Sequence, residues 1–145
     1  MPDLAATQAL GARIAGGLRP GDVVALSGGL GAGKTTLARA IIAALGHAGE
    51  VPSPTFTIIE TYDGLRLPLV HADFYRLEDP READELGLDD YRAGAALIAE
   101  WPENAGGFES DPACLAIRLE FLPEIGGGGR EAIVESGPAW QSRWP

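Results

Sequence analysis

Residues 23–45 read VVALSGGLGAGKTTLARAIIAAL and combine three patterns in one stretch. An apolar, β-branched run comes first, a glycine-rich segment follows, and apolar residues at helical spacing end the stretch. Residues 28–35 within it fit G-x-x-x-x-G-K-[ST], the phosphate-binding P-loop, in the strand–loop–helix setting that this motif requires. The sequence therefore predicts a nucleotide-binding site where a strand passes into a helix.

Each part of the P-loop has its own chemical task. Backbone N–H groups of the glycine-rich turn, with the positive end of the following helix, cradle phosphate oxygens. Lys34 is predicted to reach the β- and γ-phosphates and the Thr35 hydroxyl to ligate Mg²⁺. Lys34 is also the single lysine of the chain. We expect the nucleotide to be contacted by Gly29, Leu30, Gly31, Ala32, Gly33, Lys34, Thr35 and Thr36.

Two later segments end in a carboxylate. LVHAD ends at Asp73 and ALIAE ends at Glu100. A short apolar strand that closes in an acid has the form of a Walker B strand, whose carboxylate lies beside the P-loop threonine and its Mg²⁺. Both acids are therefore candidates for metal binding and for catalysis, and which one lies on the metal side stays open. Thr55, in a loop after the P-loop helix, is a candidate switch residue that senses Mg²⁺ and the γ-phosphate.

Length and charge restrict the class of protein. A chain of 145 residues suits one domain, so we expect a single P-loop ATPase domain over residues 1–145. The formal net charge of −10 should repel a nucleic-acid backbone, so we expect no DNA binding and expect another protein to hold any RNA. Neither a membrane-spanning run nor a secretory signal is apparent, and the single Cys114 suits a reducing compartment. These features predict a cytoplasmic protein without membrane contact.

The order of segments predicts an α/β fold. An apolar stripe predicts a helix over residues 3–18, and Asp63-Gly64 predicts a hairpin whose returning strand is limited by Pro68 to an edge or to an irregular pairing. Alternation from Ala113 onwards predicts a strand, paired through the Gly126–Gly129 turn with a partner strand. We predict a P-loop NTPase-like three-layer sandwich, with a mostly parallel central sheet and added antiparallel strands. The order of the strands is not predicted.

The nucleotide is predicted to be ATP. Small GTPases read guanine with an Asn-Lys-x-Asp sequence, and the only lysine here is assigned to phosphate. Hydrolysis needs positioned phosphates, Mg²⁺ and a group that orients water. Two alternatives stay open: a nucleotide-gated adaptor without obligatory hydrolysis, and a small P-loop kinase.

Several motifs occur together in one order: GGLGAGKTT at residues 28–36, SPTFT at 53–57, HADFYR at 71–76, LEDPREADELGLDDY at 77–91 and EWPE at 100–103. Their combination resembles the bacterial ATPase subunit of the tRNA threonylcarbamoyladenosine-forming machinery, the TsaE (YjeE) family. The resemblance covers roughly residues 7–135.

The resemblance implies a Mg²⁺-dependent ATPase that is slow alone and acts with two partner proteins, TsaD and TsaB. Those partners place threonylcarbamoyl on adenosine 37 of tRNAs that read ANN codons. By the same resemblance Thr55 is the switch threonine, Asp73 the essential aspartate, Glu100 the Mg²⁺-associated acid and Trp101 the tryptophan beside it. Gly29 departs from the Asp or Glu that is common in the family, which changes the charge near the nucleotide.

Overall fold

The computed structural model describes residues 4–28, 33–47, 59–62, 64–75, 77–85, 87–108, 111–121, 130–141 and 143. The predicted turn at Gly126–Gly129 lies outside the described residues, as do Asp63 and the tail residue Trp144. The described segments contain the strands and helices on which the predicted fold depends.

A single six-stranded sheet forms the centre of the fold, with the strand order β2-β3-β4-β1-β5-β6. The four inner strands β3, β4, β1 and β5 run parallel, whereas β2 and β6 pair antiparallel at the two edges. This arrangement confirms the predicted mostly parallel sheet with added antiparallel strands. The strands are β1 Val23–Gly28, β2 Ile59–Tyr62, β3 Leu69–Asp73, β4 Ala96–Glu100, β5 Cys114–Phe121 and β6 Arg130–Ser136.

Helices cover both faces of the sheet. The α-helices are α1 Leu4–Gly17, α2 Lys34–Ala44, α3 Arg81–Glu85 and α4 Leu88–Arg92, and Pro102–Ala105 and Pro138–Trp140 are 3-10 helices. Helix α1 confirms the helix predicted over residues 3–18. Among the residues that the structure describes, no helix combines the length and the apolar character that crossing a bilayer requires.

Alternation along β1 divides the core into two layers. Val24 and Leu26 pack in the cluster that contains the buried residues of α1 and α2, and Val23 and Ala25 pack in the cluster on the opposite face with Leu88 of α4. Successive side chains of a strand point to opposite faces, so a strand covered on both sides is apolar throughout. Strand β1 is thus packed on both faces, and this packing fixes the position of its carboxyl end.

One detail of the predicted hairpin is wrong. β2 and β3 do pair antiparallel, with Tyr62 opposite Leu69. β3 also pairs with β4, in continuous register, so it is neither an edge strand nor irregularly paired. Pro68 lies just before β3, so its missing N–H removes no bond from the strand ladder. Its carbonyl accepts the N–H of Ala96 at 3.0 Å, so the proline immediately precedes an inner strand.

The C-terminal residues pack on the domain. Trp140 is fully buried, and its indole N–H donates to the Ala113 carbonyl at 2.8 Å. Arg143 donates to both carboxylate oxygens of Asp22, at 2.6 and 3.0 Å, and to the Gly17 carbonyl at 2.7 Å. These contacts join the tail to the end of α1 and to the residue before β1.

Close packing of α1 on α2 gives a stability prediction. A Cβ on Gly11 would lie 2.6 Å from the Ala40 Cβ and 2.9 Å from the Ala40 carbonyl carbon. Overpacking costs about 1–3 kcal/mol, whereas the gain in helix propensity is about 1 kcal/mol. We therefore expect Gly11→Ala to lower the free energy of unfolding, measured by urea denaturation.

Gly16 in the same helix is the matched control for this prediction. A Cβ there meets no atom within 4 Å, so Gly16→Ala should raise the free energy of unfolding by about 0.5–1 kcal/mol. If both variants proved more stable than the parent protein, the described contact between the helices would be incorrect.

Candidate functional site

Those predicted site residues that the structure describes lie together at one edge of the sheet. β1, β4 and β3 are parallel neighbours, and the pairing aligns Leu26 with Glu100 and Glu100 with Asp73. The carboxyl ends of all three strands therefore lie together, at the edge where open α/β sheets bind ligands. α2 begins at Lys34, close after the end of β1 at Gly28.

Part of the predicted nucleotide site lies outside the described residues: Gly29, Leu30, Gly31, Ala32 and Thr55. The end of the P-loop is described. Gly33 has φ 100° and ψ 16°, a left-handed conformation that glycine adopts without steric cost. Lys34, Thr35 and Thr36 follow it as the first residues of α2, so the positive end of this helix lies at the site.

A hydrogen bond connects α2 to β4. The Thr35 hydroxyl donates to Glu100 Oε1 at 2.7 Å, and the Glu100 side chain is buried. A hydroxyl and a carboxylate are oxygen groups of the kind that Mg²⁺ prefers, and Mg²⁺ sites commonly use one or two carboxylates together with substrate phosphates. The residues present therefore fit a magnesium ion beside Thr35 and Glu100.

The second oxygen of Glu100 is also engaged. His71 Nε2 lies 2.6 Å from Glu100 Oε2, and the His71 residue has no exposed surface. Reasoning from the sequence assigned no role to His71. The available signal was its position two residues before Asp73, because residues two apart in a strand lie on the same face of the sheet.

Lys34 lies close to the end of β1. Its Nζ donates to the Gly28 carbonyl at 2.9 Å and lies 4.4 Å from the centroid of the Trp101 ring. Burial lowers the pKa of Lys34, and the carboxylates of Glu100 and Asp73 oppose this shift. Because burial makes the charge of Lys34 costly, a phosphate would stabilise this ammonium more than it would stabilise that of an exposed lysine.

Asp73 is half-buried at the end of β3. Its Oδ1 accepts the backbone N–H of Tyr75 at 3.0 Å. Burial raises the pKa of Asp73, this hydrogen bond opposes the shift, and the nearby Glu100 carboxylate raises the pKa further. A carboxylate with a raised pKa is a better proton acceptor than an exposed one, which suits a group that orients or activates water.

Trp101, directly after β4, has an unusual backbone conformation. Its φ of 55° and ψ of 51° are left-handed, and it is the only non-glycine residue of the described segments with positive φ. Its N–H donates to the Leu26 carbonyl at 3.2 Å, and its ring packs on Tyr75 with centroids 5.0 Å apart. Such strain in a bulky residue is typical of functional sites.

Fold and site together define a P-loop-like α/β protein. A family model described as "Threonylcarbamoyl adenosine biosynthesis protein TsaE" matches residues 1–124. The chain belongs to the TsaE family, as the resemblance of its motifs predicted.

Relatives and a solved structure agree with this assignment. The chain is 47% identical over 96 residues to the protein named tRNA threonylcarbamoyladenosine biosynthesis protein TsaE from Bacillus subtilis, covering 66% of this chain and 60% of that protein. A protein of the same name from Mycobacterium leprae is 45% identical over 121 residues, with 77% of this chain and 71% of the relative covered.

A third protein named tRNA threonylcarbamoyladenosine biosynthesis protein TsaE, from Haemophilus influenzae, is 43% identical to this chain over 103 residues. The match covers 70% of this chain and 65% of that relative. The chain thus spans less than two thirds of the Bacillus subtilis and Haemophilus influenzae relatives. A crystal structure of Bacillus subtilis YdiB superposes with a TM-score of 0.76 and 30% identity, over 99% of this chain and 87% of YdiB.

The raised pKa of Asp73 predicts a pH-dependent stability effect. Because the folded protein binds a proton here more tightly than the unfolded chain does, ionisation costs stability as the pH rises through the carboxyl range. Asp73→Asn removes this charge and keeps an oxygen for the Tyr75 N–H. Without nucleotide or metal, we expect it to melt at a higher temperature than the parent at pH 7. The gain should vanish below the ordinary aspartate pKa of 3.8, measured by thermal denaturation.

Asp79 is a control of opposite sign. The side-chain hydrogen bond from Arg81, and then the Arg81 backbone N–H, lower the pKa of Asp79, so its charged form favours the folded state. Asp79→Asn should not raise the melting temperature at pH 7. Equal stabilisation by both variants, or none by Asp73→Asn, would show that burial of the Asp73 charge is not the cause.

Proposed function

We propose that the chain is an ATP-binding and ATP-hydrolysing subunit of the complex that forms threonylcarbamoyladenosine at position 37 of tRNAs reading ANN codons. Membership of the TsaE family supports the pathway, and the P-loop sequence supports the nucleotide. The observation that carries the ATPase proposal is the 2.7 Å hydrogen bond from Thr35 to Glu100. It joins the residue after the P-loop lysine to an acid at the end of a neighbouring strand.

Thr35 and Glu100 are the residues proposed to hold Mg²⁺. The Thr35 hydroxyl uses its proton toward Glu100, which leaves its oxygen lone pairs for a cation. A Mg²⁺ ion held there would supply the positive charge that neutralises the charge developing on the phosphates. This geometry favours Glu100 over Asp73 as the acid on the metal side, which the sequence left open.

Lys34 is proposed to bind the β- and γ-phosphates. Its ammonium already lies at the end of β1, on the Gly28 carbonyl. Burial lowers the pKa of Lys34, so phosphate oxygens would compensate a charge that the folded chain solvates poorly. Gly33 and the first N–H groups of α2 add the positive end of a helix.

Asp73 is proposed to orient the attacking water. Its alignment with Glu100 on the neighbouring strand puts it at the same edge, and the Tyr75 N–H fixes the direction of its carboxylate. The raised pKa of Asp73 favours acceptance of a proton from water in the transition state. Thr55, outside the described residues, remains the proposed switch that orders when the γ-phosphate is present.

TsaD and TsaB are the proposed partners, and tRNA is proposed to reach the site only through them. The net charge of −10 argues against direct binding of a polyanion, because each phosphate contact needs a cationic partner. Slow hydrolysis in isolation, with stimulation in the complex, is part of the same proposal.

Removal of each acid should separate binding from turnover. We expect Glu100→Gln and Asp73→Asn to keep ATP affinity within a few-fold and to lower turnover by about a hundredfold or more, the usual cost of lost charge stabilisation. ATP affinity would be measured by calorimetry, and turnover with TsaD, TsaB and tRNA. Asp79→Asn, which removes an exposed acid that pairs with Arg81, is the matched control and should hydrolyse ATP at the parental rate. Parental turnover in both site variants would contradict the proposed roles.

An ATP analogue that cannot be hydrolysed distinguishes an ATPase from an adaptor. If hydrolysis resets the complex, the analogue should permit about one round of tRNA modification per complex and then stop it, because the bound state persists. The measurement is the amount of modified adenosine per complex over time, with ATP as the control. Many rounds with the analogue would contradict the ATPase proposal and favour the adaptor, and phosphorylation of an added acceptor would favour a kinase.

A further inference from the structure

His71 contacts the proposed site directly and has no task in the mechanism above. It lies in β3 opposite Ile98 of β4, two residues before Asp73, and has no exposed surface. The sheet buries an imidazole where apolar residues occupy the neighbouring positions. Burial of a polar ring costs free energy unless the ring makes a hydrogen bond.

The contact with Glu100 provides a hydrogen bond for the buried ring. A separation of 2.6 Å between His71 Nε2 and Glu100 Oε2 requires a proton between the two atoms. An ionised Glu100 carboxylate can only accept, so we assign His71 as the donor, in the tautomer that carries its hydrogen on Nε2. A buried donor beside a carboxylate makes a charge-assisted hydrogen bond, which is stronger than one between neutral groups.

The two contacts of Glu100 together fix the plane of its carboxylate. Oε1 accepts from Thr35, which belongs to α2, and Oε2 accepts from His71, which belongs to β3. With one of these donors removed, the carboxylate can rotate about its terminal torsion, which is otherwise broad and weakly restricted. The oxygen facing Thr35 would then no longer have a fixed position.

We propose that His71 is a positioning residue that holds Oε2 of Glu100, so that Oε1 stays directed at Thr35 and at the cation proposed beside it. This inference rests on the proposed function, since it assigns the metal side of the site to Thr35 and Glu100. Partners of this kind, which contact a metal ligand and not the metal, typically contribute about 10- to 100-fold in metal affinity or activity.

The test uses the full chain with three substitutions. His71→Leu removes the donor and keeps an apolar side chain of similar bulk, and His71→Gln restores an N–H near the position of Nε2. Val70→Ala is the matched control, because Val70 is a buried neighbour in β3 that packs in the core cluster on the opposite face of the sheet. Melting temperatures of all three variants give the general loss of stability.

The decisive readout is the affinity for Mn²⁺ in the presence of a non-hydrolysable ATP analogue, measured by electron paramagnetic resonance. Affinity for the analogue in excess EDTA is measured separately. We expect His71→Leu to weaken Mn²⁺ binding by about tenfold or more, with metal-free affinity for the analogue within twofold of the parent value. His71→Gln should restore most of the Mn²⁺ affinity. Val70→Ala should lower the stability of the protein and leave its Mn²⁺ affinity unchanged.

Parental Mn²⁺ affinity in His71→Leu would overturn the positioning role and leave His71 as a core residue. Failure of His71→Gln to restore Mn²⁺ affinity would also overturn it, because the hydrogen bond would not be the cause. If the parent chain bound Mn²⁺ with the analogue but hydrolysed no ATP with its partners, only the ATPase proposal would fail. Absence of metal-dependent binding in the parent chain would overturn both proposals.

Discussion

The hydrogen bond between Thr35 and Glu100 joins residues 65 positions apart in the sequence and brings the P-loop helix onto the end of β4. It depends on the parallel pairing of β1 with β4, which sets Leu26 beside Glu100. A shift of that register by one residue would turn Glu100 to the opposite face of the sheet. Burial of β1 on both faces resists such a shift, so the packing of the core determines the geometry of the site.

The site gathers groups that are costly to a folded protein. Burial lowers the pKa of Lys34 and raises the pKa of Asp73. Trp101, directly after β4, has a left-handed backbone conformation. Perturbed pKa values and local strain concentrate where a chain carries out chemistry. The sheet and its two helical layers supply the stability that maintains these groups.

The features that could be predicted from the sequence are those that depend on local pattern. The strands ending at Asp73 and Glu100, the P-loop helix and the mostly parallel sheet each follow from a run of neighbouring residues. Strand order and the contact of His71 with Glu100 could not be predicted, because they depend on which strands become neighbours. Pro68 was misjudged for a related reason: a proline one residue before the paired segment leaves the ladder intact, and only the three-dimensional register reveals this.

The central claim is that one end of the sheet brings the P-loop helix and two acids around a triphosphate. A crystal structure with Mg²⁺ and a non-hydrolysable ATP analogue tests it most directly. We expect the cation at the Thr35 hydroxyl beside Glu100, Lys34 on the phosphates and Asp73 facing the γ-phosphate. An analogue bound elsewhere, or one bound here with Glu100 and Asp73 both directed away from it, would contradict the account.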